Sequence, residues 1–219
     1  MNKIILLLSC LAVPAAFYGQ NSKQVVKDFD GNIYQTIKIG DQVWMKENLR
    51  ATHYQNGDPI ETTEILNEVI TDEDEPAYQW IYKGDPDIPE AYGRLYTWYA
   101  AASDRQICPE GWHIPSQAEW AQMIEFLGGD EEAGGKIKVK GYEYWEEPNT
   151  GATNESGFSA LPAGGRNEDG TFSGMGKYAA WWTSSPGMFR NIEYNEPYTF
   201  RYYFYKSPYL GLSVRCLKD

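Results

Sequence analysis

The stretch Cys108-Pro109-Glu110-Gly111-Trp112-His113-Ile114-Pro115-Ser116-Gln117-Ala118-Glu119-Trp120-Ala121-Gln122-Met123-Ile124-Glu125-Phe126-Leu127, followed by Gly128-Gly129, decides the fold. Pro109 presets φ and Gly111 tolerates positive φ, so Pro-Glu-Gly reads as a rigid turn. Ile114 precedes a proline and is pushed out of the α region, which makes Trp112 to Pro115 a short extended piece. A helix starts at once, because Ser116 and Glu119 have the Ser-x-x-Glu spacing of a capping box. Trp120, Met123, Ile124 and Leu127 recur at i, i+3, i+4 and i+7 and line one face. Gly128 is the expected C-cap. This is the one main helix expected, over Ser116–Leu127.

Outward from it, composition argues against an all-helical protein. The chain has 219 residues, 42% hydrophobic and 15% aromatic, with 8 Trp, 17 Tyr, 21 Gly and 12 Pro. Rings must build the core, and the Gly and Pro content implies short strands and many turns. A formal net charge of −12 excludes a phosphate backbone as a natural partner. Lys3 and the apolar run Ile4 to Ala16 read as a targeting segment over residues 1–20, too short to span a bilayer as a helix. Leu7-Leu8-Ser9-Cys10 has the form of a lipobox, which makes Cys10 a candidate lipidation site and the only expected contact with a membrane. Only about five apolar residues precede this box, so ordinary cleavage near Ala16 to Gln20 is the reading preferred, with lipidation the alternative. Residues 21–25 are a short tail and 26–219 a single domain.

Export leaves Cys108 and Cys216 in an oxidising compartment, where a pair of cysteines suggests a disulfide. Two buried free thiols are the alternative. Residues 25–45 read as three strands, with Asp30-Gly31-Asn32 and Gly40-Asp41 as turns and with Ile33, Ile37 and Ile39 facing the core. Residues 61–90, rich in Glu and Asp and interrupted by Pro76, Pro86 and Pro89, read as an acidic insert running over the surface as a solvated loop. Tyr92 to Ala101 is apolar on all sides and therefore buried. Lys136 to Lys140, after Gly134-Gly135, reads as a strand or turn. Tyr202 to Tyr205 and Gly211 to Leu217 read as two antiparallel strands, the last one central.

Several of these stretches together resemble one family. They are Asp30-Gly31-Asn32-x-Tyr34, Lys38-Ile39-Gly40-x-Gln42-x-Trp44-Met45-x-Glu47-Asn48-Leu49, Tyr92-Gly93-x-Leu95-Tyr96, Cys108-Pro109-x-Gly111-Trp112-His113-Ile114-Pro115, Asn149-Thr150-Gly151-Ala152-Thr153-Asn154-x-Ser156-Gly157-Phe158, Leu161-Pro162-x-Gly164 and Ser213-Val214-Arg215-Cys216. The set is similar to the Fibrobacter succinogenes major paralogous domain, found in exported bacterial proteins. The resemblance implies an α+β, C-type-lectin-like fold: an antiparallel sheet, long irregular loops and one main helix. It also implies kinship with the formylglycine-generating enzymes. It carries no activity across, and neither residues 61–90 nor 194–209 match any of its motifs.

Glu147-Pro148-Asn149 has the letters of a mannose-type calcium motif, but no Trp-Asn-Asp follows on the next strand. A broader Ca²⁺ site would draw oxygens from Asn149, Asn154 and Glu155, since calcium takes 6–8 oxygen ligands. The bland alternative is an Asx-rich loop ordered by its own hydrogen bonds. Trp181 and Trp182 are candidate sugar platforms or, alternatively, core on a strand. His113 reads as a buried structural histidine, and Glu119 is accounted for by the helix cap. Two histidines without nucleophile or metal-ligand spacing make no active site. The expectation is therefore a surface-exposed, non-enzymatic binding module for a glycan or protein. The alternatives are a structural component of a cell-envelope or fibre assembly, and an enzyme or relic of the formylglycine-generating kind, which needs a reactive cysteine.

Overall fold

The computed structural model describes residues 24–71, 75–203 and 209–219. The targeting segment, Cys10 and residues 21–23 of the tail lie outside the described residues. The chain opens with β1 (Val25–Lys27), β2 (Ile33–Ile39) and β3 (Gln42–Met45), an antiparallel meander. A ribbon of β4 (Gln79–Trp80) and β5 (Leu95–Tyr96) follows, then α1 (Trp98–Ala101), β6 (Trp112–His113), α2 (Gln117–Phe126) and α3 (Asp130–Ile137). The second half supplies β7 (Ala163–Arg166), β8 (Phe172–Met175), β9 (Tyr178–Trp182), β10 (Met188–Glu193), β11 (Thr199–Tyr203) and β12 (Leu217–Lys218). Among the described residues, one sheet has the order β1-β2-β3-β12-β6 and the other β11-β10-β9-β7-β8. The mixed α+β class follows.

The decisive stretch folds as its letters require. Ser116 Oγ accepts from Glu119 N, and the Glu119 carboxylate accepts from Ser116 N at 2.7 Å, so two donors that the first turn leaves unpaired are satisfied. Trp120, Met123, Ile124 and Leu127 are all buried. Gly128 takes a positive φ, and its N–H and that of Gly129 close the helix onto the carbonyls of Glu125 and Ile124. Cys108 and Cys216 are disulfide-bonded and buried, tying the entrance of this helix to β12.

The segment expected to be a central last strand is central, but it is a thread between sheets more than a strand. Gly211 bridges Arg166, Leu212 bridges Tyr96 and Ser213 bridges Trp181. Val214 then bonds Leu49, Cys216 bonds Met45, and Leu217 pairs with both Trp44 and His113. Its backbone partners come in turn from the second sheet, from the β4–β5 ribbon and, from Val214 onward, from the first sheet and the segment after β3, so it joins all three before ending as β12.

Three expectations need correction. Asp130–Ile137 is a second helix, and Gly134 and Gly135 lie inside it instead of ending it. A Cβ on Gly134 would sit 2.2 Å from the Tyr198 carbonyl oxygen, and one on Gly135 2.3 Å from that of Gly151. The glycines are there for close approach, which outweighs their cost of roughly 1 kcal/mol each in a helix. The acidic insert is not simply solvated: Thr63, Ile70, Trp80 and Tyr82 are buried, Trp80 donates to Thr63 Oγ1 at 3.0 Å, and the fully buried Arg166 stacks on Trp80 and donates to the Glu68 carbonyl. In β2, Tyr34 is fully buried while Ile33 is 59% exposed. Tyr34 turns inward because its hydroxyl donates to Asp28 at 2.6 Å and accepts from Arg50 N at 3.0 Å.

The centre holds a buried polar knot. Arg215 donates from Nη2 and Nε to Asn48 Oδ1 at 2.7 and 3.1 Å, and Trp181 Nε1 donates to the same oxygen at 2.8 Å. The Asn48 amide donates onward to Tyr92 O and Ser213 Oγ. The Arg215 guanidinium lies 4.2 Å from the Phe158 ring centre. Burial pulls the Arg215 pKa down to about 9, against the opposing field of Glu47. Trp44, Trp120, Phe158 and Trp181 pack mutually around it with ring centres 4.8–5.8 Å apart. Rings of this size bury roughly 150–250 Å² each.

Candidate functional site

Strand alternation sends the second sheet's residues to two faces. Trp181, Ala179 and Ile192 face the knot. The opposite face carries Trp182, Phe189 and Tyr202 in one row, then Ala180, Asn191 and Phe200, then Tyr178 and Glu193, all set by the register of β9, β10 and β11. Among the described residues β11 is the edge strand of this sheet.

The rings form a continuous ladder. Trp182 meets Phe189 edge-on at 5.8 Å, Phe189 stacks on Tyr202 at 5.2 Å and 16°, and Phe200 follows at 6.3 Å. Tyr202 is 40% exposed. A cavity of about 210 Å³ opens beside the ladder, lined by Asn167, Tyr178, Phe189, Asn191, Glu193 and Tyr202. Asn191 Nδ2 donates to Glu193 Oε1 at 3.2 Å and aligns the carboxylate. Burial, and then the Glu193 charge, hold the Tyr202 hydroxyl above the ordinary tyrosine value; burial does the same for Tyr178. Both phenols therefore stay neutral hydrogen-bonding groups. Beneath the β10–β11 turn, the fully buried Lys138 donates from Nζ to Glu193 O at 2.9 Å and Glu196 O at 2.8 Å. Burial lowers its pKa to about 8, with Glu196 opposing. The turn that carries Glu193 is thus pinned from below. The arrangement offers a flat ring, two phenol hydroxyls, two amides and a carboxylate around one concavity, the combination that orients a small polar ligand.

Of the residues singled out from sequence, Trp181 and Trp182 are both buried, so neither is a platform. Trp181 is held by Asn48, and Trp182 donates from Nε1 to Tyr96 O at 2.6 Å while lying under Phe189. The accessible rings sit on the two strands beyond it. Phe189, Asn191 and Glu193 carry an i, i+2 alternation that sequence reasoning passed over, and Tyr202 was read only as strand.

The proposed ligand residues each bond elsewhere, although the Asn149 side-chain oxygen itself is buried without a hydrogen-bond partner among the described residues. Asn149 is buried and donates to Val139 O and Gly141 O at 3.0 and 2.7 Å. Asn154 is locked to Ser159 in both directions, at 3.1 and 2.9 Å. Glu155 lies 3.5 Å from Lys136, which also pairs with Glu132 at 2.9 Å. Among the described residues, no group of three or more His, Cys, Asp or Glu side chains is placed to hold a metal ion. His113 is half-exposed, not buried: Nδ1 bonds Asp219 at 2.6 Å and Nε2 bonds Glu119 at 2.9 Å. Glu119 is therefore both cap and ion-pair partner.

A model of the Fibrobacter succinogenes major domain family matches residues 37–218. The chain belongs to this family. No curated protein and no solved structure matches it. Of the sequence stretches that resemble the family, those holding Asn48, Phe158 and Arg215 fall on the knot, and Cys108 to Pro115 on the disulfide and the entrance of α2, whereas the ring ladder lies between Trp182 and Tyr202.

Proposed function

We propose that this Fibrobacter succinogenes major domain, of C-type-lectin-like architecture, is a non-enzymatic binding module of an exported, surface-displayed protein, and that it takes a glycan. The carrying observation is the stacked Phe189–Tyr202 pair beside a cavity edged by Asn167, Asn191 and Glu193. A partly exposed ring stacks on the apolar face of a sugar, while amide and carboxylate groups take its hydroxyls. Against the enzyme alternative stands the Cys108–Cys216 bridge, which leaves neither buried sulfur as a thiol. A protein partner is the second reading, favoured by the exposed tyrosines Tyr198, Tyr202 and Tyr203 on or beside the edge strand β11. In the leading reading the loop 149–158 is ordered without calcium by the bonds of Asn154 Oδ1 and Ser156 Oγ within the chain; the buried Asn149 Oδ1, which has no hydrogen-bond partner among the described residues, is the oxygen that speaks for a cation.

A glycan array followed by calorimetry on wild type, Tyr202→Ala and Glu193→Gln tests the proposal. At least a tenfold loss of affinity in each variant, with unchanged melting temperature, is expected. A blank array, or variants that bind like wild type, overturns it. Melts in millimolar calcium and in chelator are expected to coincide, and a separation abolished in Asn154→Ala would restore the metal.

A further inference from the structure

A second cavity, of about 320 Å³, shares no lining residue with the first. It lies between the β1–β2 turn with the segment following β3 on one side and residues 81–94 on the other. Its size falls within the roughly 300–1,000 Å³ of ligand pockets. One wall is apolar, made of Ile81, Pro86, Ile88 and Pro89. The other is charged, and its charges are unequally matched. Asp30 accepts from Thr52 N and Oγ1 and pairs with His53. Arg50 lies 3.5 Å from Glu90, donates to Asn32 Oδ1 and Ile33 O, and stacks 4.7 Å from the Tyr34 ring centre.

Arg94 is different. Among the described residues its one side-chain hydrogen bond runs from Nη1 to the neutral Gln79 Oε1 at 2.6 Å, and no carboxylate pairs with it. The chain carries a net charge of −12, so an arginine without a carboxylate beside a cleft is notable. With Nη1 held, the Nε and Nη2 edge remains, and that fork is the geometry that accepts a carboxylate in bidentate fashion. The backbone beneath is rigid. Arg94 N donates to Leu49 O at 2.9 Å, and a Cβ on Gly93 would sit 2.6 Å from that of Asn48. Gln79, which fixes Nη1, is itself buried and donates to Ile60 O.

We propose that this cleft binds the carboxylate end of an apolar peptide: Arg94 takes the carboxylate, and the isoleucines and prolines opposite take the adjoining side chains. An aliphatic wall favours a peptide over an acidic sugar, whose hydroxyls would be left without partners against it. The site stands apart from the ring ladder and does not depend on it.

The probes are N-acetyl-Pro-Leu with a free carboxylate, the same dipeptide as its amide, and glucuronate. Each is titrated against the isotope-labelled folded domain while the Arg94 Nε–H resonance is followed. The acid is expected to shift that resonance to saturation and the amide to bind at least tenfold more weakly. Arg94→Gln should lose the acid, and Tyr202→Ala should keep it. Acid and amide behaving alike, or no shift at Arg94, overturns the proposal. Glucuronate shifting Arg94 where the dipeptide does not would overturn the peptide assignment. The wild-type comparison of acid and amide decides the matter even if Arg94→Gln fails to fold.

Discussion

Trp181 and Trp182 are neighbours in sequence and belong to different worlds. Trp181 enters the knot, where Asn48 Oδ1 receives three hydrogen bonds and Arg215 lies between rings. Trp182 turns to the other face and supports Phe189, above which Tyr202 reaches solvent. The inner region is closed and almost fully bonded, and removal of any one group there strands another. The outer region ends in rings that pack on one another and still reach solvent, Tyr202 being 40% exposed. The residues that announce the family in sequence serve the first region, so they describe architecture. The residues proposed to face a sugar, Phe189, Asn191, Glu193 and Tyr202, lie outside the quoted motifs.

The sharpest way to break this contrast is Asn48→Ala. It would leave the Arg215 guanidinium buried with the Phe158 carbonyl as its main acceptor, and would unpair Trp181 Nε1. Removing one partner of a buried charge costs about 3–5 kcal/mol. Urea denaturation should show a loss of that order, and a loss below about 1 kcal/mol would mean the knot is not the keystone. Next in size is the bridge. Cys108 and Cys216 are 108 residues apart in sequence, and the chain-entropy model gives roughly 4.7 kcal/mol for a loop near that length. The double Cys→Ser variant should lose about 2–4 kcal/mol and still fold, because α2 keeps its cap. A variant as stable as wild type would show that the threaded segment 211–218 is held by its backbone bonds alone. On the outer face, Tyr202→Ala should change stability by no more than about 0.5 kcal/mol, measured by the same titration. A loss near that of Asn48→Ala would make the ladder a core element and remove its case as a site.

Legibility follows the same division. The cap, the helical stripe, the first meander and the cysteine pair were readable because each is local or needs only two residues and a compartment. The second helix was not, because Gly134 and Gly135 look like a break unless the close passage of Tyr198 and Gly151 is known. The burial of Trp80 was hidden by its acidic surroundings: Arg166, some 86 positions later by number (166 − 80), supplies the stacking partner. The ring ladder was missed for a related reason. Its strands are individually ordinary, and only the register of β9, β10 and β11 puts Phe189, Tyr202, Asn191 and Glu193 together.

A similarly small effect, this one dependent on pH, is expected at the seam where the two kinds of region meet. His113 sits at the start of the decisive stretch, between Glu119 of α2 and Asp219 beyond β12. Burial pulls its pKa down, but the hydrogen bonds it donates to Asp219 and Glu119 outweigh it and leave the value above 6.5. For Glu119, burial pulls upward, and the bonds from Ser116 and His113 outweigh it and leave the value below 4.5. A raised histidine contributes stability that is fully present below pH 6.5 and is lost as pH rises through its folded value. A lowered carboxylate contributes stability present above pH 4.5 and lost as pH falls through its folded value. The cluster should therefore contribute most between those two limits. His113 is 34% exposed and Asp219 61%, so solvent screening holds the whole effect to about 1 kcal/mol or less. Urea midpoints at pH 5.5 and 8.5 should show wild type weakening at the higher pH, and His113→Gln should flatten that slope without reaching the loss seen for Asn48→Ala. An identical slope in wild type and variant would place the pH dependence elsewhere and reduce His113 to a rim residue of the first sheet.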